Sequence, residues 1–205
     1  MLENINVGRY AITADVSIAK DPKFNVVIAH GANNDMHNDI VSGVFKALAP
    51  TSSVIRFNFS FVAGNERVDH AANTEELKAC IRRLGGKNIV LIGKSYGGYL
   101  SILVASEKAF DIKSVIVLGF PLHSMEEDAE VERYMHVGKV KAAITFINGD
   151  SDPYCRREAF ERALPGYKCH WIKEADHSFR ATGAGLDEDN TEKVVSLVKE
   201  VLSVD

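Results

Sequence analysis

A serine set among glycines, an aspartate and a histidine follow one another along this chain, each just after an apolar run. Together they could carry nucleophilic acyl transfer. Gly93-Lys94-Ser95-Tyr96-Gly97-Gly98 comes directly after Asn88-Ile89-Val90-Leu91-Ile92 and runs into an apolar helix pattern at Leu100, Leu103 and Val104. G-x-S-x-G between a strand and a helix reads as a nucleophile elbow, a tight turn that pushes the serine hydroxyl above the sheet. A second run, Ala143 to Ile147, ends in Asn148-Gly149-Asp150-Ser151-Asp152-Pro153 and offers a carboxylate at Asp150 or Asp152. A third, Cys169 to Ile172, ends in Glu174-Ala175-Asp176-His177-Ser178-Phe179 and offers His177.

In that chemistry His177 takes the proton of Ser95, and the acid holds the imidazole tautomer and stabilises the imidazolium. Backbone N–H groups then hold the oxyanion of the tetrahedral intermediate. Tyr96, the residue after the nucleophile, supplies one such N–H. Ala32 is the expected second donor, because Asn25 to Ala29 reads as a strand that opens into His30-Gly31-Ala32-Asn33-Asn34. His170 lies inside an apolar run and is expected to pack or point outward. His30 and His123, at loop edges, are expected to be structural hydrogen-bonding residues.

Elements must place these loops together, and the pattern supplies them. Strand-like runs alternate with helix-period segments, which argues for a doubly wound, mostly parallel sheet with helices on both faces. Tyr10 to Ile18 reads as the opening strand. Ile40, Val41, Val44, Phe45 and Leu48 share one helical face, and Val54 to Phe57 follows as a strand. A helix carrying Leu77, Ile81 and Leu84 stops at Gly85-Gly86, a favoured cap. Val115 to Leu118 is a strand, and Val194, Leu197, Val198, Val201 and Leu202 mark the last helix. No repeat or linker divides the chain, so residues 1–205 are expected to form a single domain.

The chain resembles the α/β-hydrolase superfamily, in its small, lidless, dienelactone-hydrolase-like branch of predicted hydrolases. The resemblance rests on Ala29-His30-Gly31-Ala32, Arg56-Phe57-Asn58-Phe59, Gly93 to Gly98, Gly119-Phe120-Pro121-Leu122-His123, Asn148 to Pro153 and Ala175 to Phe179. It implies an α/β-hydrolase fold with no cap domain and the order serine, acid, histidine found here. It also implies that the acid of the G-x-x-D-P motif is Asp152. Relatives often carry methionine where Tyr96 stands, so this tyrosine is expected to narrow the acyl pocket or donate a hydrogen bond.

Several other classes are excluded. The net charge is −4 and the pI near 6.0, which gives no electrostatic footprint for nucleic acid or an anionic membrane. Gly93-Lys94-Ser95 imitates the end of a phosphate-binding loop, but the glycine that motif requires is replaced by Asn88. His30, Asp35, His37 and Asp39 lack a metal-ligand spacing, so no metal is expected. The three cysteines, Cys80, Cys155 and Cys169, suggest neither a disulfide framework nor a zinc site, which fits a reducing cytoplasm. Neither a leader nor a membrane span is expected: the start shows no basic segment before an apolar core, and no apolar run approaches ~20 residues.

The expectation is a cofactor-free serine hydrolase acting on a small ester or thioester. Asn33, Met36, Phe59, Tyr96, His123 and Phe179 are candidates for substrate contact, since they fall in loops at strand C-termini. The acidic run Glu126 to Glu132 reads as a solvated helix face. Residues 121–141, where many such enzymes insert a lid, are too few to form one. The alternative is a non-catalytic interaction or scaffold protein that keeps the fold, and the presence of Ser95, Asp152 and His177 together argues against it.

Overall fold

The computed structural model describes residues 1–64, 68–124, 131–182 and 190–203. The elements run β1 (Leu2–Val7), β2 (Tyr10–Ser17), β3 (Asn25–Ala29), α1 (Asp39–Leu48), β4 (Ser53–Phe57), α2 (His70–Arg83), β5 (Ile89–Lys94) and α3 (Tyr96–Ser106). They continue with β6 (Ile112–Leu118), α4 (Val131–Tyr134), β7 (Ala143–Gly149), α5 (Arg157–Ala163), β8 (Lys168–Ile172) and α6 (Thr191–Val201). Short 3₁₀ turns at Ser60–Val62 and Val137–Lys139 complete them. The strands form one sheet in the order β1-β2-β4-β3-β5-β6-β7-β8.

From β4 across to β8 every neighbouring pair is parallel, while β1 and β2 join antiparallel at one edge. The opening strand differs from expectation. β1 precedes Tyr10 and pairs with β2 through a hairpin in which Val7 faces Tyr10. The polar residues Glu3, Asn4 and Asn6 hide it from a search for apolar runs, yet Ile5 and Val7 alternate with them and are buried.

Because side chains alternate along a strand, the central strands feed two cores. Val26 and Ile28 of β3, Val90 and Ile92 of β5, and Ile116 and Leu118 of β6 pack under α1 and α6 with Ile40, Val44, Val194 and Val198. Val27, Leu91 and Val117 point the other way and pack with Leu77 and Ile81 of α2 and Leu100 and Val104 of α3. Helices α1 and α2 start at side-chain caps. The Asn38 side chain accepts from Ile40 N, and Asp69 Oδ1 accepts from Ala71 N and Ala72 N at 2.9 and 3.1 Å.

Among the described residues no helix is long and apolar enough to cross a membrane. Between β6 and β7 the described residues form only the four-residue α4 and one 3₁₀ turn, with no cap domain. Residues 126–130 of the acidic run lie outside the described residues; Val131 and Glu132 begin α4.

Candidate active site

A parallel sheet delivers the loops after β3, β5, β7 and β8 to the same edge, and each carries one of the residues singled out above. The elbow itself is a steric consequence of its glycines. A Cβ at Gly93 would strike the backbone of Gly97 and Gly98, and one at Gly97 would strike the Ala29 carbonyl. Strand, turn and helix can approach this closely only without those side chains. The cost of the turn falls on Ser95, held at φ 50° and ψ −115°, a positive φ that non-glycine residues rarely adopt. Its backbone N–H is anchored to the Leu118 carbonyl at 2.8 Å.

From that position Ser95 Oγ lies 2.9 Å from His177 Nε2, and His177 Nδ1 lies 2.7 Å from Asp152 Oδ2. The three residues come together although 82 and 25 positions separate the two pairs. The Asp152 carboxylate is fully buried while the His177 ring keeps about a fifth of its surface exposed. Asp152 Oδ1 also accepts from Tyr154 N at 2.8 Å, and the Tyr154 ring meets the His177 ring edge-on at 4.8 Å. Asp150 is directed elsewhere. It is exposed, and its Oδ1 accepts from Glu174 N at 2.6 Å, tying together the loops after β7 and β8.

The histidine loop is braced internally. Asp176 Oδ1 accepts from Ser178 N at 2.7 Å and Arg180 N at 2.9 Å, and Ala175 bridges to Ala181. Beneath it lies Lys94, buried, whose Nζ donates to the His177 carbonyl at 2.8 Å and sits 5.6 Å from the Phe179 ring centre. Burial lowers its pKa to about 8, against the upward pull of Asp152 and Asp176. The sequence pattern assigns no role to Asp176 or Lys94. Lys94 is next to Ser95 in the sequence, whereas the contact depends on a residue 83 positions away.

Near the proposed oxyanion position, the loop after β3 runs alongside Ser95: a methyl placed on Gly31 would sit 3.4 Å from Ser95 Cβ. Ala32 lines the cavities beside Ser95. Tyr96 is the first residue of α3, where backbone N–H groups have no intrahelical acceptor. Its phenol donates to Asn73 Oδ1 at 3.0 Å, and Asn73 Nδ2 donates to the buried Glu76 at 3.0 Å. With that proton committed, His70 Nδ1, 3.0 Å from the same oxygen, is the donor to it. Burial pushes the Tyr96 phenol well above its ordinary value.

Two cavities flank Ser95. One of about 390 Å³ is lined by His70, Tyr96, Tyr99 and Glu132; the other, of about 420 Å³, by Asn33, Asn34, Lys94, Tyr154, His177 and Ser178. Ala32, Pro121 and Arg133 border both. Of the residues proposed for substrate contact, Asn33 and Tyr96 line these cavities, whereas Met36, Phe59, His123 and Phe179 line neither and are buried. Phe59 packs its ring 4.9 Å from His30, and Phe179 packs against Lys94. Met36 lends its carbonyl to Arg56 at 3.0 Å. Apolar loop residues at strand ends, where cores reach up to the site, are consumed in supporting it.

The other histidines are structural in geometry. His30 Nδ1 donates to the Gly31 carbonyl at 2.7 Å and Nε2 accepts from Phe59 N at 3.1 Å. Burial keeps its pKa below the ordinary imidazole value. His123 Nε2 accepts from Arg156 N at 3.1 Å, stitching the segment after β6 to the acid loop. His170 stays within β8. Burial pushes the Cys155 thiol up, and all three cysteines are free. Among the described residues no group of three or more His, Cys, Asp or Glu side chains is placed to hold a metal ion.

The whole-chain geometry has counterparts among solved structures. An α/β serine hydrolase homologue from Coxiella burnetii aligns with a TM-score of 0.73 at 18% identity, covering 100% of this chain and 96% of that one. A protein from Agrobacterium tumefaciens described as a putative α/β hydrolase aligns at 0.77 and 14% identity, covering 100% and 98%. A dienelactone hydrolase from Anabaena variabilis aligns at 0.75 and 17% identity, covering 98% and 94%. At such identities the likeness is one of fold. No curated protein matches the sequence. A family model described as alpha/beta hydrolase domain matches residues 22–203, and over nearly its whole length the chain therefore belongs to that family.

Proposed function

We propose that this hydrolase-fold protein is a serine hydrolase that cleaves small esters or thioesters through an acyl-enzyme on Ser95. The observation that carries the reading is the linear relay from Asp152 Oδ2 through His177 to Ser95 Oγ, at 2.7 and 2.9 Å. Hydrogen bonds of that length hold the imidazole with Nδ1–H toward the buried carboxylate and Nε2 free to accept the serine proton. A scaffold that only kept the fold would have no use for this alignment.

In the reaction Ser95 Oγ attacks the acyl carbon while its proton passes to His177 Nε2. Tyr96 N–H, and Ala32 N–H from the neighbouring loop, hold the oxyanion. His177 then protonates the departing oxygen or sulfur. A water molecule, activated by the same Nε2, attacks the acyl-enzyme and restores Ser95. No step calls for a cofactor. The free cysteines suit a reducing compartment such as the cytoplasm.

A fluorophosphonate probe tests this directly. It should label the wild-type protein at Ser95 and leave Ser95→Ala unlabelled at an unchanged circular dichroism spectrum. Equal labelling of both proteins, or none of the wild type, would reject the assignment.

A further inference from the structure

The two cavities beside Ser95 differ in chemistry, and only one of them contains His177. The larger, at about 420 Å³, holds His177 together with Asn33, Asn34, Tyr154 and Ser178, so its wall is rich in groups that donate and accept hydrogen bonds. The other, at about 390 Å³, sets three rings together, with His70 5.4 Å from Tyr96 and 5.5 Å from Tyr99 between ring centres, and has Glu132 and Arg133 in its wall as well. Its polar groups include the Tyr96 hydroxyl, already bonded to Asn73 and His70, the exposed Glu132, and Arg133, which donates to the Pro121 carbonyl at 3.1 Å. What Tyr96 presents there is ring surface.

The mechanism orders these two spaces. The proton that His177 Nε2 takes from Ser95 must be returned to the leaving group, so the leaving group lies on the side that His177 lines. The acyl group is then directed to the other side. Resting on the serine-hydrolase reading above, we infer that the site divides its substrate at Ser95. A compact aromatic acyl group packs among His70, Tyr96 and Tyr99, and a hydroxyl-bearing alcohol leaves through the cavity of Asn33, Tyr154 and Ser178.

In this arrangement attack forms the bond from Ser95 Oγ to the acyl carbon, and the ester C–O bond breaks as the alcohol takes the proton from His177. Water then releases the aromatic carboxylic acid. Aromatic rings favour an aromatic acyl group over a saturated ring of similar size through edge and stacking contacts. Polar walls favour a hydroxylated alcohol, because an apolar one would leave their hydrogen-bonding groups unpaired.

The test is kcat/KM on four esters that pair phenylacetyl or cyclohexylacetyl with glycerol or 1-propanol, each corrected for its hydroxide hydrolysis rate. Wild type should favour phenylacetyl by about threefold to tenfold and glycerol by about tenfold. Tyr99→Leu should bring the acyl ratio toward one and keep the alcohol ratio, and Asn33→Leu should do the reverse. Ratios taken within one preparation cancel any loss of folded protein. If Asn33→Leu moved the acyl ratio and Tyr99→Leu the alcohol ratio, the assignment of sides would be overturned. Indifference to both partners, with Ser95 labelled and p-nitrophenyl acetate turned over, would reject the division while leaving the serine-hydrolase reading intact. Failure of labelling and of all turnover would reject both.

Discussion

Lys94 Nζ holds the backbone carbonyl of His177 at 2.8 Å, so the residue just before Ser95 also tethers the loop that carries His177. Gly119 lets the ammonium in, since a Cβ there would come within 3.1 Å of Nζ. The charged groups around Lys94 are Asp152 from the loop after β7 and Asp176 beside His177 itself, with Arg133 across the cavity. One buried cation thus faces two carboxylates and the backbone of His177.

This arrangement predicts a pH signature. Lys94 has a folded-state pKa of about 8, below the ordinary lysine value of 10.5, because burial disfavours its charge. Between those values the unfolded chain binds a proton that the folded one has lost, so Lys94 makes stability rise with pH across that window. The slope is at most about 1.4 kcal/mol per pH unit. Lys94→Met cannot titrate, and urea unfolding of the two proteins from pH 7 to 10.5 should show the wild type gaining on the variant only above about pH 8. Parallel curves would show that Lys94 keeps an ordinary pKa. The same variant should lower kcat more than it raises KM, as expected when a base is less well positioned.

The two aspartates of the acid loop separate cleanly in geometry and should do so in kinetics. Asp152→Asn leaves His177 Nδ1–H without its buried carboxylate and should lower kcat by about 10²- to 10⁴-fold. Asp150→Asn disturbs exposed bonds from Glu174 N and Ser151 Oγ and should change kcat no more than a few-fold. Steady-state kinetics on p-nitrophenyl acetate distinguishes them, and the opposite ranking would transfer the role to Asp150.

Tyr96 tests the network behind the elbow. Tyr96→Phe keeps the ring and the backbone N–H but strips Asn73 Oδ1 of its donor, and Asn73 is only 1% exposed. An unsatisfied buried carbonyl costs about 1–3 kcal/mol. The unfolding free energy should fall by that amount, read as a lower urea midpoint at an unchanged m-value, with kcat reduced only a few-fold. An unchanged midpoint would mean that solvent reaches Asn73.

Chain length tests the absence of a cap. With little more than α4 and the 3₁₀ turn among the described residues between β6 and β7, a long acyl chain finds little surface to cover it. Each buried methylene contributes ~0.8 kcal/mol where a pocket encloses it, so a deep tunnel would make kcat/KM climb steeply with length. Here p-nitrophenyl acetate or butyrate should match or exceed the decanoate, without activation at a lipid–water interface. A strong preference for decanoate would mean that a loop closes over the substrate. The candidates are the acidic run and residues 181–187, where 183–187 lie outside the described residues.

The sequence by itself determined the parallel core and the order of the functional loops, because these are local properties. An apolar run such as Ile89–Ile92 must be buried on both faces, and Gly93 to Gly98 can make only a tight turn into α3. Its reach ended where polar spacing hid an element, as at Glu3, Asn4 and Asn6 in β1. Tertiary structure decided everything that depends on what lies opposite. A turn of two residues sends Asp152 inward to His177 and leaves Asp150 at the surface. Phe59 and Phe179 resemble pocket walls in one dimension and are core supports in three. Lys94 looks like an incidental neighbour of Ser95 until β5 and the loop after β8 are brought side by side. Packing pairs residues that the chain keeps 83 positions apart, and no local pattern records that pairing.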